Sequence, residues 1–319
     1  MKFFYFIRIH ETNEQTYRLI EYIKKSNTSN EIILSYDSSS SDLDVESLKY
    51  SCSKVIDIEG RRGTFLLIES YLKAMKWLID NRVSYDWLIN LSGQDYPVKP
   101  ISEIESFLSE TNYDAFIEYF KVFSSESHWS IQEGESRYLF KYQAFDMLNK
   151  YPNWIKKLLL PTKLINYVQP GIRINLAYEM LGLRNLSLFQ KIFNDDFICY
   201  GGSFFMTLSR RCVEYLHDFC QNHPEVIEYY KRVCLPDESL IQTILVNSKK
   251  FNLCNDNKRY IDFSQTSNGR PKILTINDYE SIMQSDAHFA RKFDMCEDSS
   301  ILGVLDQKFT KFVGNSEFL

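Results

Sequence analysis

The 319-residue chain has no CxxC pair, no GxGxxG loop, no Walker phosphate loop and no nucleophile elbow. Each absence removes the local signature of a chemistry: zinc ribbons, dinucleotide binding, NTP hydrolysis and serine-type hydrolysis. Positive charge is also short. With 37 Lys and Arg against 42 Asp and Glu the formal charge is −5, so a broad basic surface for nucleic acid is excluded and any anionic ligand has to be met locally. No uncharged apolar run approaches the roughly 18 residues of a membrane-spanning helix. The opening run Phe3–Ile9 is interrupted by Arg8 and is too short for the core of an export signal, so it reads as a first strand. The seven cysteines are odd in number and suit reduced thiols better than a disulfide framework, so the expectation is a soluble, cytoplasmic protein. Pro and Gly are nowhere gathered into a linker, which favours one compact domain over residues 1–319.

What is present is an ordinary globular mixture, 44% apolar and 25% charged, arranged in alternating elements. Strands are expected at Phe3–Ile9, Glu31–Tyr36, Val55–Ile58 and Trp87–Leu91, separated by helices over Thr16–Lys25 and about Thr64–Ile79. That order implies an α/β fold, a twisted and mainly parallel sheet with helices on both faces. Ligands of such sheets bind beyond the carboxyl ends of the strands, where His10, Asp37, Gly60–Gly63 and Gly93–Asp95 fall. Residues from about 124 to 189 read as an insertion with helices that shapes a substrate groove. Beyond it the spacing predicts Phe197–Leu208 as an extended segment, helices over Arg210–Asn222 and Asp237–Asn247, and a strand near Arg259–Phe263. A helix over Ile276–Ser285 follows, then a C-terminal helical tail within residues 295–319.

Several residues bear chemistry, each with a plain structural alternative. Asp42-Leu43-Asp44 is the sole Asp-x-Asp pair, of the kind that holds a cation on a sugar nucleotide's diphosphate, but its position suits an N-cap better. A metal site is therefore not expected, and a departing diphosphate would need Arg or Lys instead. Between Lys258 and Lys292 there are six basic residues against four acidic ones, which surface ion pairs would also explain. Glu238, in Pro236-Asp237-Glu238-Ser239, is either a carboxylate of a helix's first turn or a general base kept ionised by the helix N-terminus. Gly201-Gly202-Ser203-Phe204-Phe205 is either a close-approach turn with an aromatic face for a sugar or a bulged core strand.

Five ordered segments change those odds: Leu88–Pro97 (LINLSGQDYP), Gly201–Ser209 (GGSFFMTLS), Pro236–Leu245 (PDESLIQTIL), Arg259–Phe263 (RYIDF) and Phe289–Asp294 (FARKFD). Together they resemble the core-2/I-branching β-1,6-N-acetylglucosaminyltransferase and peptide xylosyltransferase family, from the first strand to about Asp294. The resemblance implies a GT-A-like, inverting glycosyltransferase that uses a UDP-sugar without a metal cofactor. It makes Glu238 the catalytic base and Lys292 a diphosphate ligand, partnered by Arg270 or else Arg259. Asp37 would contact the uridine and Asp95 would lie near the donor. Phe204 and Phe205 stand where relatives carry a Trp, and with Glu135, Arg137 and Lys141 they are the candidate acceptor contacts.

The expected reaction moves a sugar, N-acetylglucosaminyl by preference and xylosyl as the nearest rival, to a glycan hydroxyl in polysaccharide or oligosaccharide synthesis. The expected partners are a UDP-sugar and a saccharide acceptor, with peripheral membrane association permitted and nucleic acid excluded. Two other readings stay open: a non-catalytic glycan-binding relative, and a metal-dependent transferase that uses Asp42 and Asp44.

Overall fold

Phe3–Arg8 (β1) is apolar at every position but its last, the pattern of a strand covered on both faces. Phe4 and Phe6 enter one core while Phe3, Tyr5 and Ile7 enter the other, as the two-residue period of a strand requires. The computed structural model describes residues 1–10, 14–37, 48–58, 61–145, 165–264 and 270–316. The loop with Asp42 and Asp44, as well as Gly60, lies outside the described residues.

β1 pairs in parallel with Glu31–Tyr36 (β2) and Trp87–Ser92 (β4), and β2 pairs in parallel with Lys54–Asp57 (β3). The seven-stranded sheet continues past β4 with Thr207–Ser209, Ala115–Phe116 and Leu253–Cys254. Thr207–Ser209 runs antiparallel to both its neighbours. The sheet is thus mixed, with a parallel half in the order β4-β1-β2-β3. One face is covered by Phe65–Asp80, Arg210–Asn222 and Leu240–Ser248. The other is covered by Glu14–Ser26, Ile101–Glu110 and the C-terminal helix Ser300–Ser316. Each fully buried Leu, Ile or Phe in these layers contributes about 1.5–3 kcal/mol.

The C-terminal helix is more than a tail. Ile301, Leu302, Leu305 and Phe309 are buried in the second core, and Asp306 accepts from Arg18 (2.7 Å) and from the Tyr96 hydroxyl (2.8 Å).

Three expectations are corrected. The insertion contains, besides the helix Ile131–Tyr138, a three-stranded antiparallel sheet of Phe140–Ala144, Met180–Arg184 and Ile172–Asn175. The expected continuous segment Phe197–Leu208 is broken into Tyr200–Gly201 and Thr207–Ser209. The helix expected from Asp237 begins only at Leu240, after a separate 3-10 turn Pro236–Glu238 and an extended-φ Ser239 (φ −146°).

A small sheet of Arg259–Ile261, Phe289–Arg291 and Asp95–Pro97 buttresses the carboxyl edge of β4. His288 enters it, its ring 4.8 Å from that of Phe107 and edge-on. Burial, with Arg259 and two lysines nearby, lowers this imidazole to about 3. It therefore stays neutral in the fold while the unfolded chain protonates near 6.5. A lowered base contributes its stability in full above the unfolded value and loses it as pH falls towards the folded one. The wild type is expected to lose up to about 2 kcal/mol by pH 5 through this group. His288→Phe should flatten the acid limb of a denaturant-stability profile from pH 7 to 4; parallel limbs for the two proteins would refute it.

Candidate active site

The candidate base is held from three directions. Leu235 adopts the left-handed conformation (φ 54°), a cost of about 1–2 kcal/mol for a residue with a Cβ. Its N–H donates to the Gly63 carbonyl (3.0 Å), and the turn Pro236–Glu238 follows directly. The Gly202 N–H donates to the Glu238 carbonyl (2.9 Å), which fixes the turn against the broken strand. Finally the Arg137 guanidinium bonds both the Glu238 and the Glu133 carboxylates while lying 3.9 Å above the Trp129 ring. Burial works against the charge of Arg137, but Glu238 and Glu133 outweigh it, so the arginine is held firmly cationic.

Arg137, expected among the acceptor contacts, is thus the ion-pair partner of the candidate base. The cause is spacing: Glu133 and Arg137 are one helical turn apart and pair on the helix, from which Arg137 also reaches Glu238. The dipole of a following helix is not what orients Glu238, since that helix starts two residues later.

Asp237, adjoining Glu238, is 3% exposed. Burial and the neighbouring Glu238 raise its carboxyl well above the ordinary Asp range, against the pull of Arg8 and Arg137. Arg8 ends β1 within the field of Asp237 and of Asp37, and burial lowers it despite them. Asp37 itself is buried at the end of β2.

A second cluster lies at the end of β4. Asp95 and Arg291 face each other across the small sheet, Arg291 Nε 2.9 Å from Asp95 Oδ1. Asp95 also accepts from the Ser92 N–H, and the Arg291 guanidinium lies 3.8 Å above the Phe205 ring. Burial raises the Asp95 carboxyl, with Arg291 opposing it. Arg62 is near enough for its charge to disfavour that of Arg291, and it sits 5.8 Å from the Tyr178 ring. Tyr178 in turn feels Glu238 and Arg137, so the two clusters share one region. Lys292 follows Arg291, half-buried, and its carbonyl accepts from the Leu274 N–H (2.8 Å). The ammonium of Lys292 and the guanidinium of Arg62 have no carboxylate partner among the described residues.

Four donor or acceptor assignments are corrected. Asp95 is wholly buried and spends its oxygens on Ser92 and Arg291, so it orients Arg291 and does not face a ligand. Arg259 is buried as well: it donates to the carbonyls of Asn257 (2.9 Å) and Asn90 (3.2 Å) and stacks on Phe289, so it braces the strand ends. Phe204 and Phe205 are buried, one edge-on to Tyr71 and the other beneath Arg291, so they offer no open face to a sugar.

The remaining candidates are placed less centrally. Arg270 is exposed, borders residues 265–269 outside the described set, and is brought to neither cluster by a described contact. Glu135 lies 3.9 Å from Arg184, and Lys141 is exposed on the insertion's sheet. Among the described residues no group of three His, Cys, Asp or Glu side chains is gathered as a cation would require.

Sequence reasoning missed Arg8, Arg62 and Asp237, and it named Arg291 only as the neighbour of Lys292. Arg8 carried a signal: it is the sole charged residue in the strand FFYFIR.

Arginines and a held carboxylate thus gather at the carboxyl edge of the sheet's parallel half, the edge where α/β sheets bind ligands. Residues 4–283 match the Core-2/I-Branching enzyme family, and the chain belongs to that family. It is similar to two plant proteins, the β-glucuronosyltransferases GlcAT14A and GlcAT14B of Arabidopsis thaliana. Identity is 23% over 71% of this chain and 22% over 76% of it, respectively. The matches cover 44% and 48% of those proteins, so the chain spans about half the length of the curated relatives it matches. Among solved structures, 4-diphosphocytidyl-2C-methyl-D-erythritol synthase aligns over 77% of this chain and 97% of its own, at 7% identity and a TM-score of 0.31. The inositol-1-phosphate CTP transferase of T. maritima aligns over 78% and 84%, at 10% identity and the same score. Those scores are too low to bear on fold or chemistry.

Proposed function

We propose that the chain is an inverting, metal-independent glycosyltransferase that moves a sugar from UDP to a glycan hydroxyl, with Glu238 as the base. The observation that carries this reading is the Glu238 carboxylate, held by the Arg137 guanidinium on a turn whose Glu238 backbone carbonyl accepts from the Gly202 N–H. Arg62, Arg291 and Lys292 supply cationic charge in the same region. In the proposed step Glu238 takes the acceptor hydroxyl's proton as that oxygen attacks the anomeric carbon. The bond to UDP breaks with inversion, and the departing diphosphate's charge grows against Lys292 and Arg291. Donors fixed in advance stabilise such developing charge most effectively. Asp95 contributes indirectly by keeping the Arg291 guanidinium in place.

For the donor, the sequence motifs favour UDP-N-acetylglucosamine, with UDP-xylose as the nearest rival. The names of the two plant relatives favour a second reading, UDP-glucuronic acid. The seven cysteines, none joined to another, support a cytoplasmic setting in saccharide synthesis.

The test is UDP release across the three donors with a saccharide acceptor panel, with and without chelator. One donor should dominate, and chelator should leave its rate unchanged; a chelator-abolished rate would replace this mechanism with a metal-dependent one. Lys292→Ala should weaken UDP binding by about tenfold or more, the worth of one charge-assisted contact. Calorimetry with UDP checks this, and unchanged affinity removes Lys292 from the diphosphate site.

A further inference from the structure

We propose that the outward face of the insertion's three-stranded sheet docks on an anionic lipid bilayer. In the sheet of Phe140–Ala144, Met180–Arg184 and Ile172–Asn175 the inward side chains Phe140, Tyr142 and Met180 pack with Cys234 and Leu235, which lead into the turn bearing Glu238. Gly182 faces the same way, since a Cβ there would lie 2.6 Å from the Tyr142 ring. The period of two then sends Lys141, Gln143, Leu181 and Leu183 outward. Ile172 and Ile174 stand in register with Leu183 and Leu181, on the same face. Leu181 is 41% exposed and Leu183 56%, so the described residues leave this face open. It presents four aliphatic side chains, one lysine, one glutamine and no carboxylate. Val168, 82% exposed, stands beside the edge strand on the short helix Ile165–Val168.

An open apolar face marks a contact surface, and its charge and edges select the partner. Residues 140–184 hold seven basic side chains and two acidic ones, whereas the rest of the chain holds 30 basic and 40 acidic. This lobe is a cationic island on an anionic protein, complementary to an anionic surface. A second copy suits it poorly, because a two-fold contact sets the lobe against itself. Residues 146–164, with four lysines and one aspartate, share its sign. A partner strand finds the edges occupied. Asn166 bonds both the N–H (2.7 Å) and the carbonyl (3.0 Å) of Ile174, and Gln169 donates to the Ile172 carbonyl (3.2 Å). On the opposite edge the Tyr142 N–H donates to the Arg232 carbonyl (2.6 Å). A bilayer needs no free edge: its boundary accepts the aliphatic side chains while lipid phosphates meet the lysines.

The docking face is one sheet layer from the residues that lead into the Glu238 turn. Docking therefore brings the candidate base close to the lipid surface, where saccharides carried on lipids are presented. That consequence rests on the glycosyl-transfer reading above; the docking itself does not.

Cosedimentation of the full chain with vesicles tests this, using phosphatidylcholine alone and phosphatidylcholine with about one third phosphatidylglycerol. Wild type should bind the anionic vesicles about tenfold or more tighter than the neutral ones. Raising salt from about 0.1 to 1 M, which shortens the screening length from about 10 to 3 Å, should remove most of that preference. Leu181→Asp/Leu183→Asp should lose about tenfold or more of the affinity for anionic vesicles. Its circular dichroism and thermal midpoint should stay those of wild type, because neither side chain is buried. If the double variant folds poorly, Leu183→Gln, at the more exposed position, should still lose about threefold. Wild type that stays in the supernatant, equal binding to both vesicles, or wild-type affinity in a folded variant overturns the proposal. So does a wild-type dimer that the double variant loses, which gives the face to a second copy. Vesicle binding is read without turnover, so its failure is distinct from failure of the glycosyl-transfer reading, which UDP release decides.

Discussion

Glu238→Gln is expected to lower turnover by about 10²–10⁴-fold, the range for removal of a positioned general base. The substitution keeps the shape of the side chain and leaves an amide oxygen for the Arg137 guanidinium, so the turn Pro236–Glu238 should stay in place. The Gly202 N–H bonds the backbone carbonyl of residue 238 and is untouched by the change. Donor affinity should therefore hold while the chemical step fails, a loss in kcat with little movement in KM. Arg137→Met is the informative companion. It removes a half-buried cation that bonds two carboxylates and stacks on Trp129, so the base remains but loses its anchor. Its turnover should fall less than that of Glu238→Gln, and its stability should fall more, since two half-buried carboxylates lose their shared cation and the Trp129 ring loses its stacking partner. Steady-state kinetics on the preferred donor, with thermal midpoints alongside, separate the two. Turnover by Glu238→Gln within a factor of about two of wild type would remove Glu238 from the role of base.

The parallel half of the sheet was legible because its strands are apolar on both faces and bounded by helices of regular period. Glu31–Tyr36 and Arg210–Asn222 fall where the pattern puts them, and Phe65–Asp80 within one residue. The insertion was misread for a physical reason. Phe140 and Tyr142 alternate with exposed neighbours, as do Met180 and Gly182, and that two-residue period belongs to a sheet with one wet face. Basic and aromatic residues in alternation look like a groove until the pairing of distant strands is known.

The same limit applies to the site. Glu238 and Lys292 came from ordered motifs, but the roles of Arg259, Asp95, Phe204 and Phe205 depend on burial, which no local pattern encodes. Asp95 and Arg291 lie far apart in sequence and become partners only because the two short strands pair in register. Arg8 stood out as a charge in an apolar strand, and a rule that such a charge at a strand's carboxyl end faces the ligand edge would have found it.

Gly202→Ala is expected to be the most damaging small substitution, because its Cβ would lie 1.9 Å from the Glu118 carbonyl oxygen and 2.7 Å from its carbon. Those are backbone atoms, so no side-chain rotation relieves the clash, and the chain segments themselves have to part. Parting them breaks the hydrogen bond from the Gly202 N–H to the Glu238 carbonyl, so the stability loss and the loss of the base's position arrive together. A destabilisation of about 2–4 kcal/mol is expected, in line with overpacking combined with a lost buried hydrogen bond. Turnover of the folded fraction should drop as well. Gly303→Ala gives the opposite sign. Its Cβ would meet nothing nearer than an Arg18 nitrogen at 4.0 Å, and it sits inside the helix Ser300–Ser316. Alanine there should stabilise by about 0.4–1 kcal/mol through helix propensity and a less flexible unfolded chain. Its kinetics should be those of wild type. Denaturant melts of the two variants check both signs at once. If Gly202→Ala unfolds at the wild-type midpoint with wild-type turnover, the close approach of residue 202 to Glu118 is not what holds Glu238 in place.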